Sequence, residues 1–383
     1  MKLTSYFHNF FQSSQSSGIL LLGCVVISLL LANSSVGEPF ANLLQLQLGP
    51  YSTAVWINDG LMAIFFLLVG LEIKREIIEG ELSSFKNASL PIFAAIGGMV
   101  VPAGIFAFFN AGTEYANGWG IPMATDIAFS LAIVAMLGSR VPASIKIFLA
   151  ALAIVDDLGA ILVIAIFYTE QIHWMYLIYT ALIIILLIAL NRFKVTRHIY
   201  YIIPGLFLWH FMHHSGIHAT IAGVILAFTI PTNASDTEIS PLEKLEHSLH
   251  TPVNFFIMPI FALANTNILF KSGMVDGLFS TLGYGIILGL VAGKVIGITL
   301  FSGIAIRAKL SSLPADSNWT QMVGTGFLAG IGFTMSIFIA LLSYKGDVDI
   351  QDEAKFAILV ASFLSGLTGY LILRKSGQKQ LSN

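Results

Sequence analysis

Residues 144–168 read SIKIFLAALAIVDDLGAILVIAIFY. A transmembrane helix needs about 20 predominantly apolar residues, and this stretch is long enough to cross a membrane as one helix. Two adjacent carboxylates, Asp156 and Asp157, stand near its middle. Because a charge at the centre of a bilayer costs several kcal/mol, such residues usually face the protein interior and mark ion or proton pathways. The stretch therefore predicts a membrane helix that carries a functional acidic pair.

The composition of the whole chain supports a membrane location. Of 383 residues, 56% are hydrophobic and only 10% are charged, whereas soluble domains carry about 25% charged residues. The net charge of −2 includes no long basic run, which excludes a nucleic-acid-binding protein. The single cysteine, Cys24, cannot form an intramolecular disulfide. Apolar segments follow the first one repeatedly, so we interpret it as a retained helix rather than a cleaved signal peptide.

Apolar segments of spanning length recur along the chain and predict an all-α polytopic protein with about twelve transmembrane helices. The polar links are too short to fold alone, so residues 1–383 form a single transmembrane domain. The predicted segments are 16–33, 54–78, 89–110, 117–138, 144–168, 174–191, 198–212, 216–231, 245–265, 279–304, 320–344 and 354–373.

The distribution of basic residues predicts the orientation, because cytoplasmic loops are enriched in Lys and Arg. With twelve helices and an inner N-terminus, fifteen basic residues fall inside and three fall outside. Both chain ends are therefore expected in the cytoplasm. The inner set is Lys2, Lys74, Arg75, Lys86, Arg140, Lys146, Arg192, Lys194, Arg197, Lys244, Arg307, Lys309, Arg374, Lys375 and Lys379, and the outer set is Lys271, Lys345 and Lys355.

Two of these segments are interrupted by polar residues, proline or glycine. The first contains GWGIPMATDIAFSLAI and the second VGTGFLAGIGFTMSIFIA, and each is the second helix of a three-helix group, at 89–168 and 279–373. Broken helices in corresponding positions of two halves are typical of the binding site of a secondary transporter built from inverted repeats. The alternative is that the glycines of the second segment only permit close helix packing.

Four deep ionisable residues are expected near these breaks: Asp126, Asp156, Asp157 and Lys294. One lysine cannot neutralise three carboxylates, so at least one of them is protonated, hydrated or bound to a cation. Oxygen atoms from these carboxylates and the Thr125 hydroxyl suit a small hard cation. Lys294 pairs either with an aspartate or with the negative ends of half-helices, and a purely structural counter-ion is an equally open interpretation.

A further cluster is expected towards the inner side, where histidine and glutamate occur together. Histidine titrates between pH 5 and 8, so such a cluster predicts a pH sensor. The alternative is an ordinary solvated helix end with surface ion pairs, and His218 has packing as its alternative role. The candidate sensor residues are Glu72, Glu76, Glu246, His247, His250 and His218.

Five motifs in this order, FFLLVGLEIKRE, IPMATDIAFSLAI, KIFLAALAIVDDLGA, SGIHATIAGV and GIGFTMSIFIA, resemble the NhaA family of bacterial sodium/proton antiporters over nearly the whole chain. The resemblance implies twelve helices with inverted repeats, the fourth and eleventh being unwound where they cross at mid-membrane.

The resemblance also implies roles for individual residues. Asp157 would be the main carrier of cation and proton, and Asp156 would share the site and pair with Lys294. Thr125 and Asp126 would contribute to cation coordination and to balancing the positive ends of the half-helices. The cluster described above, His218 included, would respond to pH.

The activity implied is electrogenic, pH-regulated export of Na⁺ or Li⁺ in exchange for protons across the bacterial inner membrane, with no cofactor and no enzymatic activity. The link SSVGEPFANLLQLQLGPYSTA keeps only a short alternating stretch, which counts against a homodimer joined by a hairpin there. Three other classes are weighed against the antiporter: an intramembrane aspartyl protease, a passive channel, and a proton-coupled carrier of organic substrates.

Overall fold

The computed structural model describes residues 14–169, 171–232, 239–271 and 273–381. Lys2, counted in the charge distribution, lies outside them, as does the side chain of Lys379. The helices are α1 Ser14–Ala32, α2 Gly37–Gln45, α3 Met62–Ile78, α4 Phe85–Asn110, α5 Ile127–Leu137, α6 Ala143–Phe167, α7 Trp174–Arg192, α8 Ile199–Ser215, α9 Ile221–Thr229, α10 Pro241–Pro252, α11 Met258–Asn265, α12 Met274–Gly277, α13 Thr281–Leu288, α14 Lys294–Arg307, α15 Trp319–Ala329, α16 Phe333–Ser343 and α17 Val348–Leu381.

Several long helices are continued or joined by tighter or wider turns. π-Helical turns at Trp56–Leu61, Val253–Ile257 and Gly289–Gly293 precede α3, α11 and α14, respectively. A 3₁₀-helix at Ala116–Met123 precedes α5, and a single α-helical turn at Thr53–Val55 opens the second span. The chain is therefore an all-α polytopic membrane protein, as the composition predicts.

Eight helices in the described part of the chain are long and apolar enough to cross a membrane, and nine if the bent pair α15 and α16 is one span. The sequence-based count is higher because it includes α8 and α9, which are shorter than 18 residues, and the α10–α11 pair, whose first half is polar. The total of twelve, the depth of each helix and the inverted relation between residues 89–168 and 279–373 stay predictions.

Helix α6 lies at the centre of the bundle, against α3, α4, α5 and α15. Its residues from Ala143 to Phe167 include no proline, so its hydrogen bonds run unbroken past the acidic pair. Buried Ile145, Leu149 and Leu152 pack one face into the core. Both aspartates are therefore held on a rigid element inside the protein.

Two segments leave helical geometry beside α6. Residues 124–126 are extended between the 3₁₀-helix and α5, and residues 330–332 separate α15 from α16, whose axes differ by 44°. The two breaks contact each other, because the Asp126 amide donates to the Ile331 carbonyl oxygen at 2.6 Å. The Thr125 hydroxyl donates to the Ala329 carbonyl oxygen at 2.8 Å. Each break thus satisfies backbone groups of the other, which an apolar environment requires.

The crossing of α4 and α14 depends on two glycines in contact. A Cβ atom at Gly297 would overlap the Gly97 carbonyl oxygen, which is backbone and cannot move aside cheaply. We expect Gly297→Ala to lower the free energy of unfolding by about 1–3 kcal/mol, as overpacking does. Thermal unfolding in detergent measures the change. Gly104→Ala, on α4 with no heavy atom within 4 Å of the added Cβ, is the matched control and should not destabilise.

A two-stranded antiparallel hairpin joins the first two spans. β1, Gln47–Leu48, pairs with β2, Tyr51–Ser52, in the register Gln47↔Ser52 and Leu48↔Tyr51. Gly49 in the turn has φ +68°, a conformation that glycine adopts at no steric cost. With two residues in each strand, the hairpin offers few backbone groups for pairing with a second copy. That this hairpin does not join two copies into a dimer stays a prediction.

Candidate cation site and its cavity

Asp156 and Asp157 are both buried on α6 but face different neighbours, since consecutive helical residues project about 100° apart. Asp156 Oδ2 lies 2.5 Å from Lys294 Nζ, and neither side chain is exposed. The Thr125 hydroxyl oxygen lies 2.7 Å from the same carboxylate oxygen, and its single proton is shared between that oxygen and the Ala329 carbonyl oxygen. Asp156 is thus bound in a closed polar contact between α6, α14 and the first break.

Asp157 differs from its neighbour in what surrounds its carboxylate. Among the described residues its Oδ1 has no hydrogen-bond partner, although the atom is buried. The side chain lines a cavity of about 700 Å³, and Asp156 and Lys294 do not. A buried carboxylate that has an unsatisfied oxygen and belongs to a cavity-lining side chain can take up a proton, a water molecule or a cation.

Asp126 sits at the start of two half-helices. Its Oδ1 accepts from the Phe129 amide at 3.1 Å in the first turn of α5. Its Oδ2 accepts from the Thr334 amide at 3.1 Å and the Thr334 hydroxyl at 2.5 Å, in the first turn of α16. The N-terminus of a helix carries about half a positive charge, so one carboxylate balances two helix ends.

Hydroxyl groups complete the crossing of the broken segments. The Ser130 hydroxyl lies 2.8 Å from both the Asp126 and Leu328 carbonyl oxygens. The Ser336 hydroxyl donates to the Ile121 carbonyl oxygen at 2.7 Å. Thr334 and Ser336 were not among the predicted site residues, because their partners lie about 200 residues away in sequence and only the fold brings them together.

The cavity joins the acidic site to the inner cluster. Its lining contains both the residues of the breaks and most of the predicted sensor residues, which sequence reasoning treated as separate groups. These lining residues are Thr125, Asp126, Asp157, Glu72, Glu76, Glu246, His247 and His250. The cavity therefore connects the cluster to Asp157.

Arg75 organises the cluster and was not among the predicted site residues. Its Nε donates to the Glu246 carboxylate at 3.1 and 3.0 Å, and another guanidinium nitrogen lies 3.0 Å from Glu76 Oε1. Arg75 thereby bridges α3 and α10. The signal that could have identified it is its position between Glu72 and Glu76 on one helix, where residues three and four apart are neighbours.

His218 lies apart from this cluster. It does not line the cavity, and its ring packs edge-on against Phe338 of α16 with the centroids 5.7 Å apart. Its Nδ1 is 3.3 Å from the Thr220 hydroxyl. His250 does line the cavity and is within 3.3 Å of the Asn254 amide. The structure thus brings together five of the six predicted sensor residues.

The donor set at the site suits a hard monovalent cation as substrate. Carboxylate, hydroxyl and carbonyl oxygens surround Asp157 and the breaks, and such ligands favour hard cations. In the part of the chain that the structure describes, no group of three or more His, Cys, Asp or Glu side chains is placed to hold a metal ion.

A helical membrane bundle with two contacting helix breaks, a buried acidic pair and a cavity that leads to it defines a membrane ion transporter. The family model described as Na+/H+ antiporter 1 matches residues 8–373. The chain belongs to this family. Its members are transporters and not enzymes, so the protease alternative is excluded.

Curated relatives extend over almost the whole chain. Na(+)/H(+) antiporter NhaA 2 of Flavobacterium johnsoniae is 56% identical, covering 98% of this chain and 94% of the relative. Na(+)/H(+) antiporter NhaA of Flavobacterium psychrophilum is 51% identical over 98% and 97%. The NhaA protein of Cytophaga hutchinsonii is 49% identical over 100% and 98%. The chain is thus similar throughout its length to several antiporters that share the name NhaA.

Proposed function

We propose that this chain exports Na⁺ or Li⁺ from the cell in exchange for protons, with Asp157 as the principal carrier. One observation supports this most directly: Asp157 is a buried carboxylate that lines the cavity and has an oxygen without a partner among the described residues. A proton held there is released as the cation binds, because both compete for the same oxygens.

Asp156 is the second carboxylate of the proposed cation site. Its contacts with Lys294 and Thr125 leave Oδ1 without a partner in the described residues. We assign it a share of the cation site when the lysine contact loosens. Asp157 gives up one proton and the pair of Asp156 and Lys294, which holds the other between its two groups, gives up the second. Two protons for one monovalent cation make the exchange electrogenic.

Asp126 and Thr125 support the site through the contacts that they make at the helix breaks. Asp126 is already bound by α5 and α16, so its proposed task is to balance the two helix ends, and Thr125 holds Asp156 in place. Alternating access then moves one bundle of helices against the other, around a fixed site. We place the chain in the bacterial inner membrane with both ends in the cytoplasm, as the charge distribution predicts.

The proposed function is tested in everted membrane vesicles that contain the chain and hold a preset proton gradient, acid inside. Added Na⁺ should dissipate the gradient. If exchange is electrogenic, an imposed membrane potential that is positive inside the vesicles should raise the rate of dissipation, because two protons leave for each Na⁺ that enters. Vesicles without the chain are the control. A current that ignores the proton gradient would support a passive channel, and no response to either Na⁺ or Li⁺ would reject the antiporter.

We also propose that the cavity cluster sets the pH dependence of exchange. Glu246→Gln removes a carboxylate that Arg75 binds, so the cavity becomes more positive and holds protons less well. The midpoint of the activity–pH profile should move by about one unit towards lower pH, with maximal activity retained. Sodium-driven proton release across a pH series measures it.

Glu79→Gln is the matched control for this variant. Glu79 is an exposed glutamate that caps the end of α3 and does not line the cavity. Its profile should coincide with that of the unmodified chain. Equal profiles for Glu246→Gln and Glu79→Gln would reject a sensing role for the cluster and leave a solvated helix end as its interpretation.

A further inference from the structure

Among the described residues, those that line this cavity lie on one side of the acidic site. The α6 residues that line it are Ala150, Ile154 and Asp157, all at or before the carrier, and from α16 it is lined by residues of the first turn. Helix α6 continues ten residues beyond Asp157 to Phe167, about 15 Å at 1.5 Å per residue, and Tyr168 follows its last residue. Tyr168 and the C-terminal end of α16 therefore cover the side of the site that the cavity does not reach.

Two tyrosines close this side by hydrogen bonds to the backbone of the first broken segment. The Tyr168 hydroxyl donates to the Asn117 carbonyl oxygen at 2.8 Å. The Tyr344 hydroxyl donates to the Tyr115 carbonyl oxygen at 2.9 Å. Ser343 Oγ lies 3.0 Å from the Tyr168 hydroxyl oxygen and links the two contacts. The ends of α6 and α16 are thus both attached to residues 115–117.

Two glycines of the 3₁₀-helix Ala116–Met123 pack against the phenol rings of Tyr344 and Tyr168. A Cβ atom at Gly118 would overlap the Tyr344 hydroxyl, and one at Gly120 would stand 3.1 Å from the Tyr168 hydroxyl oxygen. Tyr344 is only 5% exposed. Since the phenols occupy the space that side chains at these positions would fill, the contact is closely packed as well as hydrogen-bonded.

We propose that Tyr168 and Tyr344 form a gate, which closes the site on the side opposite the cavity and opens when residues 115–123 move away. This inference rests on the proposed alternating access. A hydrogen bond from a phenol to a carbonyl contributes about a fivefold bias to an equilibrium. Two such bonds hold the gate closed by default, yet both can break in a transport cycle.

The test removes each hydroxyl and measures access to a cysteine behind the gate. In a Cys24→Ala background, Ile339→Cys places the reporter on α16, where Ile339 is 1% exposed and its Cγ2 is 3.4 Å from an added Gly120 Cβ. Right-side-out vesicles are treated with a membrane-impermeant thiosulfonate. We expect Tyr168→Phe and Tyr344→Phe each to accelerate labelling about fivefold, because Phe keeps the ring and loses only the hydrogen bond.

The control repeats the same chemistry at another site. The Tyr201 hydroxyl donates to the Val195 carbonyl oxygen at 3.0 Å, and the buried side chain belongs to α8, outside the proposed gate. Tyr201→Phe should leave labelling unchanged. Equal labelling of the double variant Tyr168→Phe/Tyr344→Phe and this control, with sodium-driven exchange intact, would overturn the gate and leave the antiport proposal standing.

A second measurement does not depend on how the phenylalanine variants fold. A bifunctional thiosulfonate that bridges Asn117→Cys and Tyr168→Cys should stop exchange, and a reducing agent should restore it. Full exchange by the bridged protein would overturn the gate. Absence of exchange in the chain without these two substitutions would instead count against the proposed function.

Discussion

Asp157→Asn should reduce sodium-driven proton exchange to the level of membranes that lack the protein. The amide has nearly the shape of the carboxylate but neither takes up a proton near neutral pH nor attracts a cation by charge. The cavity and the neighbouring contact between Asp156 and Lys294 should persist, because Asp157 takes no part in that contact. The measurement is Na⁺-induced dissipation of a proton gradient in everted vesicles, together with ²²Na⁺ uptake in proteoliposomes.

Asp349→Asn provides the matched control for this substitution. Asp349 has a side chain that is 83% exposed and pairs with exposed Lys271, far from the cavity lining. Exchange should stay at the level of the unmodified chain. Retention of full exchange in Asp157→Asn would reject Asp157 as the carrier, whatever the control shows.

The second large effect concerns stability rather than transport. Lys294→Met should lower the free energy of unfolding by about 3–5 kcal/mol, since it leaves the fully buried Asp156 without its counter-charge. Thermal unfolding in detergent measures the loss. Adding Asp156→Asn should recover most of it, because the double variant contains neither buried charge.

Lys271→Met tests whether the effect is specific to a buried pair. Lys271 lies 2.6 Å from Asp349, but both side chains are exposed to solvent, where ion pairs contribute little. Its unfolding should be unchanged. Two results would contradict this expectation: an equally harmless Lys294→Met, or a failure of Asp156→Asn to restore its stability. Either result would show that the contact between Asp156 and Lys294 does not stabilise the fold, and would leave transport as the role of Lys294.

The fold class and the position of the site follow from sequence patterns, and the reasons are physical. A bilayer demands long apolar helices, so hydropathy predicts them, and burial makes rare charges such as Asp156 informative. Pro122 and the glycines around 330 mark where helices cannot continue. The family resemblance implied a pair between Asp156 and Lys294, and the structure places them in contact.

The remaining features depend on tertiary contacts that no local pattern contains. Thr334 contacts Asp126 only because two breaks cross, and nothing in the residues around Thr334 indicates its partner. The π-turn at Gly289–Gly293 is equally hidden, since a wider turn needs no residue type that an α-helix excludes. That one cavity joins Asp157 to Glu246 likewise depends on how α3, α6 and α10 are arranged.

The contact between the two breaks also constrains how the protein is made. The Asp126 amide has Ile331 as its partner, 205 residues later in the chain (331 − 126). At a synthesis rate of roughly 5–20 residues per second, the first break waits about 10–40 s before the second emerges from the ribosome. During that interval its backbone groups lack their final partners, and hydrocarbon offers none. The Asp126 amide therefore gains its final hydrogen bond only after the ribosome has completed most of the chain.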